Sequence, residues 1–258
     1  MAQEPLPSGT TSRVVLIEAA PTPISIDTAR TAVLVVDMQN DFGAEGGMFH
    51  RAGIDIAPIK EAVKPTAQVL AAARKAGIKI IYFKMEFRPD LSDAGADDSP
   101  MRRVNAQMKV GETITAPDGR ESRILIRDTW GTDIVTELAP QEGDIIVSKH
   151  RYSGFYQTDL DAILKTLGVK YLVVTGCTTS VCVESTIRDA MFRDYTCILL
   201  EDCAAEPVGY GLPRSNHEAS LLVLQLLFAW VSRSGELLKG LRSQESSSIG
   251  SAADLVRA

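Results

Sequence analysis

Residues Tyr171–Asp194 run YLVVTGCTTSVCVESTIRDAMFRD. Tyr171–Val174 is a short apolar run of the kind buried parallel strands carry. A turn through Gly176-Cys177-Thr178-Thr179-Ser180 follows, after which Val183, Ile187, Ala190 and Met191 recur at helical spacing. Cys182 therefore falls where a strand hands over to a helix, at or just before the helix N-terminus. Free backbone N–H groups there carry partial positive charge and favour a thiolate. The expectation is a Cys182 of depressed pKa, nucleophilic at neutral pH. Cys177, Cys197 and Cys203 read as core filling, the usual role of an unpaired cysteine.

The same strand-to-helix alternation extends in both directions. Thr31–Asp37 (TAVLVVD) is a fully buried strand type ending in a carboxylate, and the glycine-rich loop QNDFGAEGGMF follows its carboxyl end. A helix runs from there to about Ala76, with Pro65 placed near its first turn. Strands follow at Ile78–Phe83, at Asp144–Ser148, which delivers Lys149 to its carboxyl end, and at Cys197–Leu200; a last helix spans His217 to about Ser232. Five or six such repeats predict one α/β domain, a three-layer α/β/α sandwich on a mostly parallel, doubly wound sheet. That domain is expected over residues 31–241. Residues 1–30, rich in Pro, Ser and Thr, read as an arm with a short strand around Val14–Ile17, and 242–258 as a mobile tail. Glu86 to about Thr129 is long, polar and weakly periodic, and is expected to act as a lid or a subunit contact.

The bulk composition excludes several classes. A chain of 258 residues with 45% apolar and 23% charged residues has core enough for a globular domain. The net charge of −6 argues against nucleic acid or an anionic membrane as partner. No apolar run is long enough to span a bilayer and no signal peptide is visible. Four irregularly spaced cysteines make no disulfide framework, so a reduced, cytoplasmic protein is expected.

Three strands thus end in reactive groups: Asp37, Lys149 and Cys182. Parallel strands bring their carboxyl ends to one edge, so the three are expected to converge. Asp37 would take the thiol proton and return it to a leaving amine. Lys149 would hold that carboxylate and stabilise the thiolate. Backbone N–H groups of the 176–182 turn would receive the oxyanion. The set describes a cysteine amidase without histidine.

AVLVVDMQNDF, Lys149 followed by SGFYQTDL, and VTGCTTSVCVESTIRDA together resemble the isochorismatase-like cysteine hydrolase superfamily over roughly Thr31–Ser232. Its G-x-x-T-x-x-C-V motif is met by Gly176, Thr179, Cys182 and Val183, which selects Cys182 as nucleophile. The resemblance implies the Asp37–Lys149–Cys182 triad, an oxyanion hole from the N–H groups of Thr178 and Cys182, and a non-proline cis peptide at Cys177–Thr178. It also implies a homo-oligomer, dimer or tetramer. Nicotinamidases of the superfamily bind metal through an Asp and histidines after the second strand. YFKMEFRPD here has no histidine, and His50, His150 and His217 lack ligand spacing, so no metal and no cofactor is expected.

The segments around Lys149 and Cys182 most resemble ureidoacrylate amidohydrolases of pyrimidine degradation, which implies C–N cleavage in a small ureido or carbamoyl substrate. Biuret, triuret and N-carbamoyl amino acid hydrolases are alternatives on the same core. A vinyl-ether hydrolase of the isochorismatase type and a silent binding protein are alternatives of other classes. Asn40, Phe42, Tyr152, Ser153 and Phe155 are expected to line the pocket. Arg88, Arg102 and Arg103 read as solvated surface charges before candidates for a substrate carboxylate, and His217 as a cap or packing residue as readily as a ligand contact.

Overall fold

The computed structural model describes residues 12–207 and 216–242. An antiparallel hairpin, β1 (Val14–Ile17) and β2 (Ile24–Asp27), opens the chain. It is followed by β3 (Thr31–Val36), the one-turn helices α1 (Asn40–Gly43) and α2 (Met48–Arg51), α3 (Ala57–Lys75) and β4 (Lys79–Met85). Then come α4 (Pro100–Gln107), a small hairpin β5 (Thr113–Thr115) and β6 (Glu121–Arg123), β7 (Ile145–Lys149) and α5 (Leu160–Thr166). The chain continues through β8 (Tyr171–Cys177), a π-helical turn at Thr179–Val183, α6 (Glu184–Met191) and β9 (Thr196–Ala205). It closes with α7 (Asn216–Leu227), β10 (Trp230–Ser232) and α8 (Ser234–Arg242).

Six strands form one sheet in the order β10-β9-β8-β3-β4-β7, all pairs parallel. The chain runs outward from β3 through β4 to β7, then returns to the other side of β3 with β8, β9 and β10. This is a doubly wound sheet whose order reverses between β3 and β8, the place where ligands bind in such sheets. Alternation along the strands fills both faces. Val33, Val35, Ile80, Tyr82, Val173 and Ile198 face a core closed by α3, α8 and the β1–β2 hairpin. Ala32, Leu34, Val36, Phe83, Leu172 and Val174 face one closed by α5, α6 and α7. The three-layer α/β/α expectation is met.

Three expectations are corrected. Residues 12–30 are not an arm: Val15, Ile17 and Ile26 are buried against the body, and Ala20 pairs with Val231 at the sheet edge. Apolar residues at alternate positions of the hairpin outweigh the proline content that suggested a loose segment. Helix α3 begins at Ala57, so Pro65 lies in its interior and not near its first turn. The helix expected over 217–232 stops at Leu227, and Trp230–Ser232 adds the sixth strand beside β9. Residues 86–129 are ordered as α4 and the β5–β6 hairpin and pack on the same chain. Of the expected tail only Arg242 is described, as the last residue of α8; 1–11 and 243–258 lie outside the described residues. Among the described residues no helix is long and apolar enough to cross a membrane.

Candidate active site

The carboxyl edge of the sheet brings the three predicted residues together. Asp37 follows β3 in a left-handed conformation (φ 52°), its N–H bonded to the Phe83 carbonyl at 3.2 Å. Its own carbonyl accepts from the Cys177 thiol at 3.2 Å, so neighbouring strands lock its backbone. Lys149 is the last residue of β7 and pairs in register with Met85 of β4. Its Nζ reaches across β4 to Asp37 Oδ2 at 2.6 Å and Cys182 Sγ at 3.4 Å, and also donates to the Arg151 carbonyl at 3.2 Å. Asp37 and Lys149 are wholly buried and Cys182 nearly so.

Cys182 sits inside the π-helical turn and not in the first turn of α6. Its carbonyl accepts from Thr186 Oγ1 at 2.7 Å, and Thr186 Oγ1 in turn accepts from the Gly154 N–H at 3.0 Å. The loop after Lys149 is thereby tied to the nucleophile helix. Gly176 makes the strand crossing possible: a Cβ there would lie 2.1 Å from the Val36 carbonyl oxygen, and its φ of +112° suits glycine. The Cys177–Thr178 peptide is cis, as the resemblance implied.

The electrostatics correct one expectation. Burial pushes the Cys182 thiol well up, and the Asp37 carboxylate adds to this while the Lys149 ammonium opposes it. The resting residue is a thiol and not the thiolate that a helix N-terminus alone suggests, because loss of solvation outweighs the backbone dipoles. Burial likewise lifts the Asp37 carboxyl above its ordinary value against the pull of Lys149. Burial works to lower the Lys149 ammonium, but the Asp37 carboxylate beside it opposes this, and the group lies above its ordinary value. A protonated thiol thus lies beside a carboxylate whose Oδ1 has no hydrogen-bond donor of its own. Such a pair is arranged for proton transfer as a bond forms at sulfur.

A cavity of about 550 Å³ opens over Cys182, Asp37 and Thr178. Its walls are mainly apolar and include Phe42, Phe49, Val104, Met108 and Leu125. Of the five predicted lining residues, Phe42 and Tyr152 line it. The other three are turned to structural tasks. Asn40 Nδ2 donates to the Trp130 carbonyl at 2.8 Å. Ser153 Oγ donates to Asp189 at 2.5 Å, and Phe155 is core, stacked on Tyr195 at a centroid distance of 5.9 Å. Arg88, Arg102 and Arg103 do not line the cavity; Arg88 faces Asp93 and Arg102 faces Asp97. His217 Nδ1 lies 2.9 Å from Thr179 Oγ1, behind the turn.

Several residues at and around the site were not anticipated, three of them buried and polar. Asn105 of α4 lines the cavity while its Nδ2 donates to the Ala94 carbonyl at 3.2 Å. Gln39 is buried, donating to the Met85 and Thr132 carbonyls and accepting from the Met85 N–H. Asp41 is buried and accepts from the Met48 and Leu125 N–H groups at 3.1 and 2.8 Å, fixing two wall residues. The signal for the last two was present in QND, three polar residues separated by two positions from the end of a wholly buried strand.

Residues 31–236 match the family model of the isochorismatase domain, most of the described chain. The chain belongs to the isochorismatase family. Within it, the chain is 38% identical over 239 residues to the ureidoacrylate amidohydrolase RutB of Methylorubrum extorquens, covering 93% of each. The RutB of Rhizobium rhizogenes is 39% identical over 86% of this chain and 87% of its own. A crystal structure of a cysteine hydrolase from Pseudomonas syringae superposes with a TM-score of 0.70 at 33% identity, over 84% of this chain and 95% of that one. N-carbamoylsarcosine amidase from Thermoplasma acidophilum gives a TM-score of 0.56 at 28% identity, over 80% and 96%.

Proposed function

We propose that this isochorismatase-family hydrolase is a cysteine amidohydrolase, acting without a metal on the C–N bond of a small ureido or carbamoyl compound of the ureidoacrylate type. The observation that carries the proposal is Lys149 Nζ set between Asp37 Oδ2 and Cys182 Sγ, two residues that both line the cavity. In this reading Cys182 Sγ attacks the carbonyl carbon as its proton passes to Asp37. The oxygen, now anionic, is held by the N–H groups of Thr178 and Cys182. Collapse breaks the C–N bond, and Asp37 returns the proton to the departing amine. Water, deprotonated by Asp37, then attacks the carbamoyl thioester and frees carbamate and the thiol. Lys149 remains an ammonium throughout and fixes the carboxylate.

The RutB relatives support the ureidoacrylate side of the proposal, and the N-carbamoylsarcosine amidase likeness supports N-carbamoyl amino acids as a second substrate class. The proposed setting is pyrimidine degradation in the cytoplasm. A homo-oligomer is also proposed, supported by exposed Leu222, Leu226 and Leu227 on α7 and by Phe192 just after α6; sedimentation velocity tests it.

The deciding experiment is ammonia release from ureidoacrylate (or ureidopropionate), biuret, triuret, N-carbamoylsarcosine and nicotinamide, with wild type beside Cys182→Ser. Release from one ureido compound, lost in the variant, is expected. Silence across the ureido compounds, or a rate preserved in Cys182→Ser, overturns the proposal.

A further inference from the structure

The turn that carries Cys182 is held from behind by residues that the chemistry above does not use. Within the turn, the Val181 and Val183 N–H groups both donate to the Thr178 carbonyl, at 3.1 and 3.2 Å. The Ser180 N–H instead leaves the turn and donates to Glu206 Oε2 at 2.6 Å. The Ser180 hydroxyl donates to the same oxygen. One residue earlier, Thr179 Oγ1 meets His217 Nδ1 at 2.9 Å. Glu206 directly follows β9 and His217 belongs to the first turn of α7, so two separate elements grip adjacent residues of the turn.

A π-helical turn has wider hydrogen-bonded rings than an α-helix and is found mostly as an isolated feature at functional sites. This one puts Thr178 and Cys182 on the cavity and turns Ser180 the other way, toward Glu206. A charge-assisted bond to a backbone N–H is short and about twice as strong as a neutral one. It sets the orientation of the peptide planes on either side of Ser180, two residues from each proposed oxyanion donor.

We propose that Glu206 is a positioning residue for the reaction: its carboxylate, with His217 beside it, holds the Thr179–Val183 turn so that Cys182 Sγ and the flanking N–H groups meet the substrate carbonyl in register. The proposal rests on the amidohydrolase reading for its kinetic consequence, but not for its structural one.

The test uses full-length wild type, Glu206→Ala, Glu206→Gln and Ser180→Ala with whichever panel substrate the wild type hydrolyses. Misplacing the turn by a fraction of an ångström is expected to lower kcat of Glu206→Ala about 10- to 100-fold, with KM within about threefold. Glu206→Gln keeps an acceptor for the Ser180 N–H and is expected to recover most of that loss, to within about fivefold of wild type. Ser180→Ala, which keeps the N–H bond, is expected to fall no further than Glu206→Gln. The second readout needs no substrate. A loosened turn admits water to Cys182 and lowers its thiol pKa toward the ordinary value, so iodoacetamide captures Cys182 faster in Glu206→Ala than in wild type. Opposite movement of the two rates, kcat down and alkylation up, is the signature that general loss of folding does not produce. A kcat and an alkylation rate both within twofold of wild type overturn the proposal. If the wild type hydrolyses nothing in the panel, the amidohydrolase reading falls and alkylation alone decides the role of Glu206. Should Glu206→Ala fail to fold, Glu206→Asp, whose shorter side chain draws the acceptor back from the Ser180 N–H and hydroxyl, carries both readouts, and wild-type values for it overturn the proposal.

Discussion

Lys149 Nζ lies 2.6 Å from Asp37 Oδ2, with both side chains sealed from solvent and joined across an intervening strand. A buried pair of this kind gains little against an apolar pair, yet breaking it leaves a charge with no compensation. Lys149→Met is therefore expected to destabilise the fold by about 3–5 kcal/mol near pH 8. Without its partner, the Asp37 carboxyl rises further above its unfolded value. A raised acid contributes stability that is present below the unfolded pKa and lost as pH rises through the folded one. The deficit should thus be smaller at pH 5 than at pH 8, and Asp37→Asn added to Lys149→Met should restore part of it. Urea unfolding at both pH values checks this; equal deficits would show that Asp37 does not carry the effect.

Cys182 is expected to react slowly before substrate arrives. Burial, then the neighbouring Asp37, holds its thiol above the ordinary value despite Lys149. Iodoacetamide should label it more slowly at pH 7.5 than free cysteine, with a rate still climbing at pH 9. A labelling rate that levels off below pH 7.5 would establish a resting thiolate and return the electrostatics to the helix-terminus expectation.

The triad was legible because parallel topology alone sends strand ends to one edge, and Asp37, Lys149 and Cys182 each announce a strand end. Tyr152 and Phe42 followed from adjacency to those ends. Asn40, Ser153 and Phe155 share that adjacency but face away, and one position along a loop says nothing of direction. The wall from Val104, Asn105 and Leu125 was hidden because a polar, weakly periodic segment gives no sign that its few apolar residues converge. Strand β10 was hidden by the apolar run before it, which continues from α7 without a polar break. At Cys182 a sequence displays the helix terminus and not the burial that raises the thiol.

Gly176 and Gly53 both have positive φ but differ in surroundings. A Cβ at Gly176 meets the Val36 carbonyl oxygen at 2.1 Å, between the strands that carry Asp37 and Cys182; one at Gly53 meets nothing within 4 Å. Gly176→Ala is expected to cost about 2–4 kcal/mol and to abolish turnover, while Gly53→Ala costs about 1 kcal/mol from backbone strain alone. Thermal unfolding and ammonia release separate the two. Similar midpoints for both variants would mean that the sheet relaxes around a methyl group at Gly176.

Asp41 gives the protein a second pH-sensitive point, apart from the triad. Burial pushes its carboxyl from 3.8 up to about 6, although the Leu125 and Met48 N–H groups and Arg51 pull it down. A rise of that size corresponds to about 3 kcal/mol. Because the folded value is the higher one, this contribution is fully present below pH 3.8 and is lost as pH rises through about 6. Asp41→Asn does not titrate, and its amide offers only one acceptor oxygen for the two N–H groups that Asp41 serves. The stability of wild type minus that of Asp41→Asn should therefore fall by about 2 kcal/mol between pH 4 and pH 7. Urea midpoints of both proteins across that range measure the difference directly. A flat difference would mean that Asp41 stays ionised throughout and that its two N–H partners, rather than its burial, set its charge.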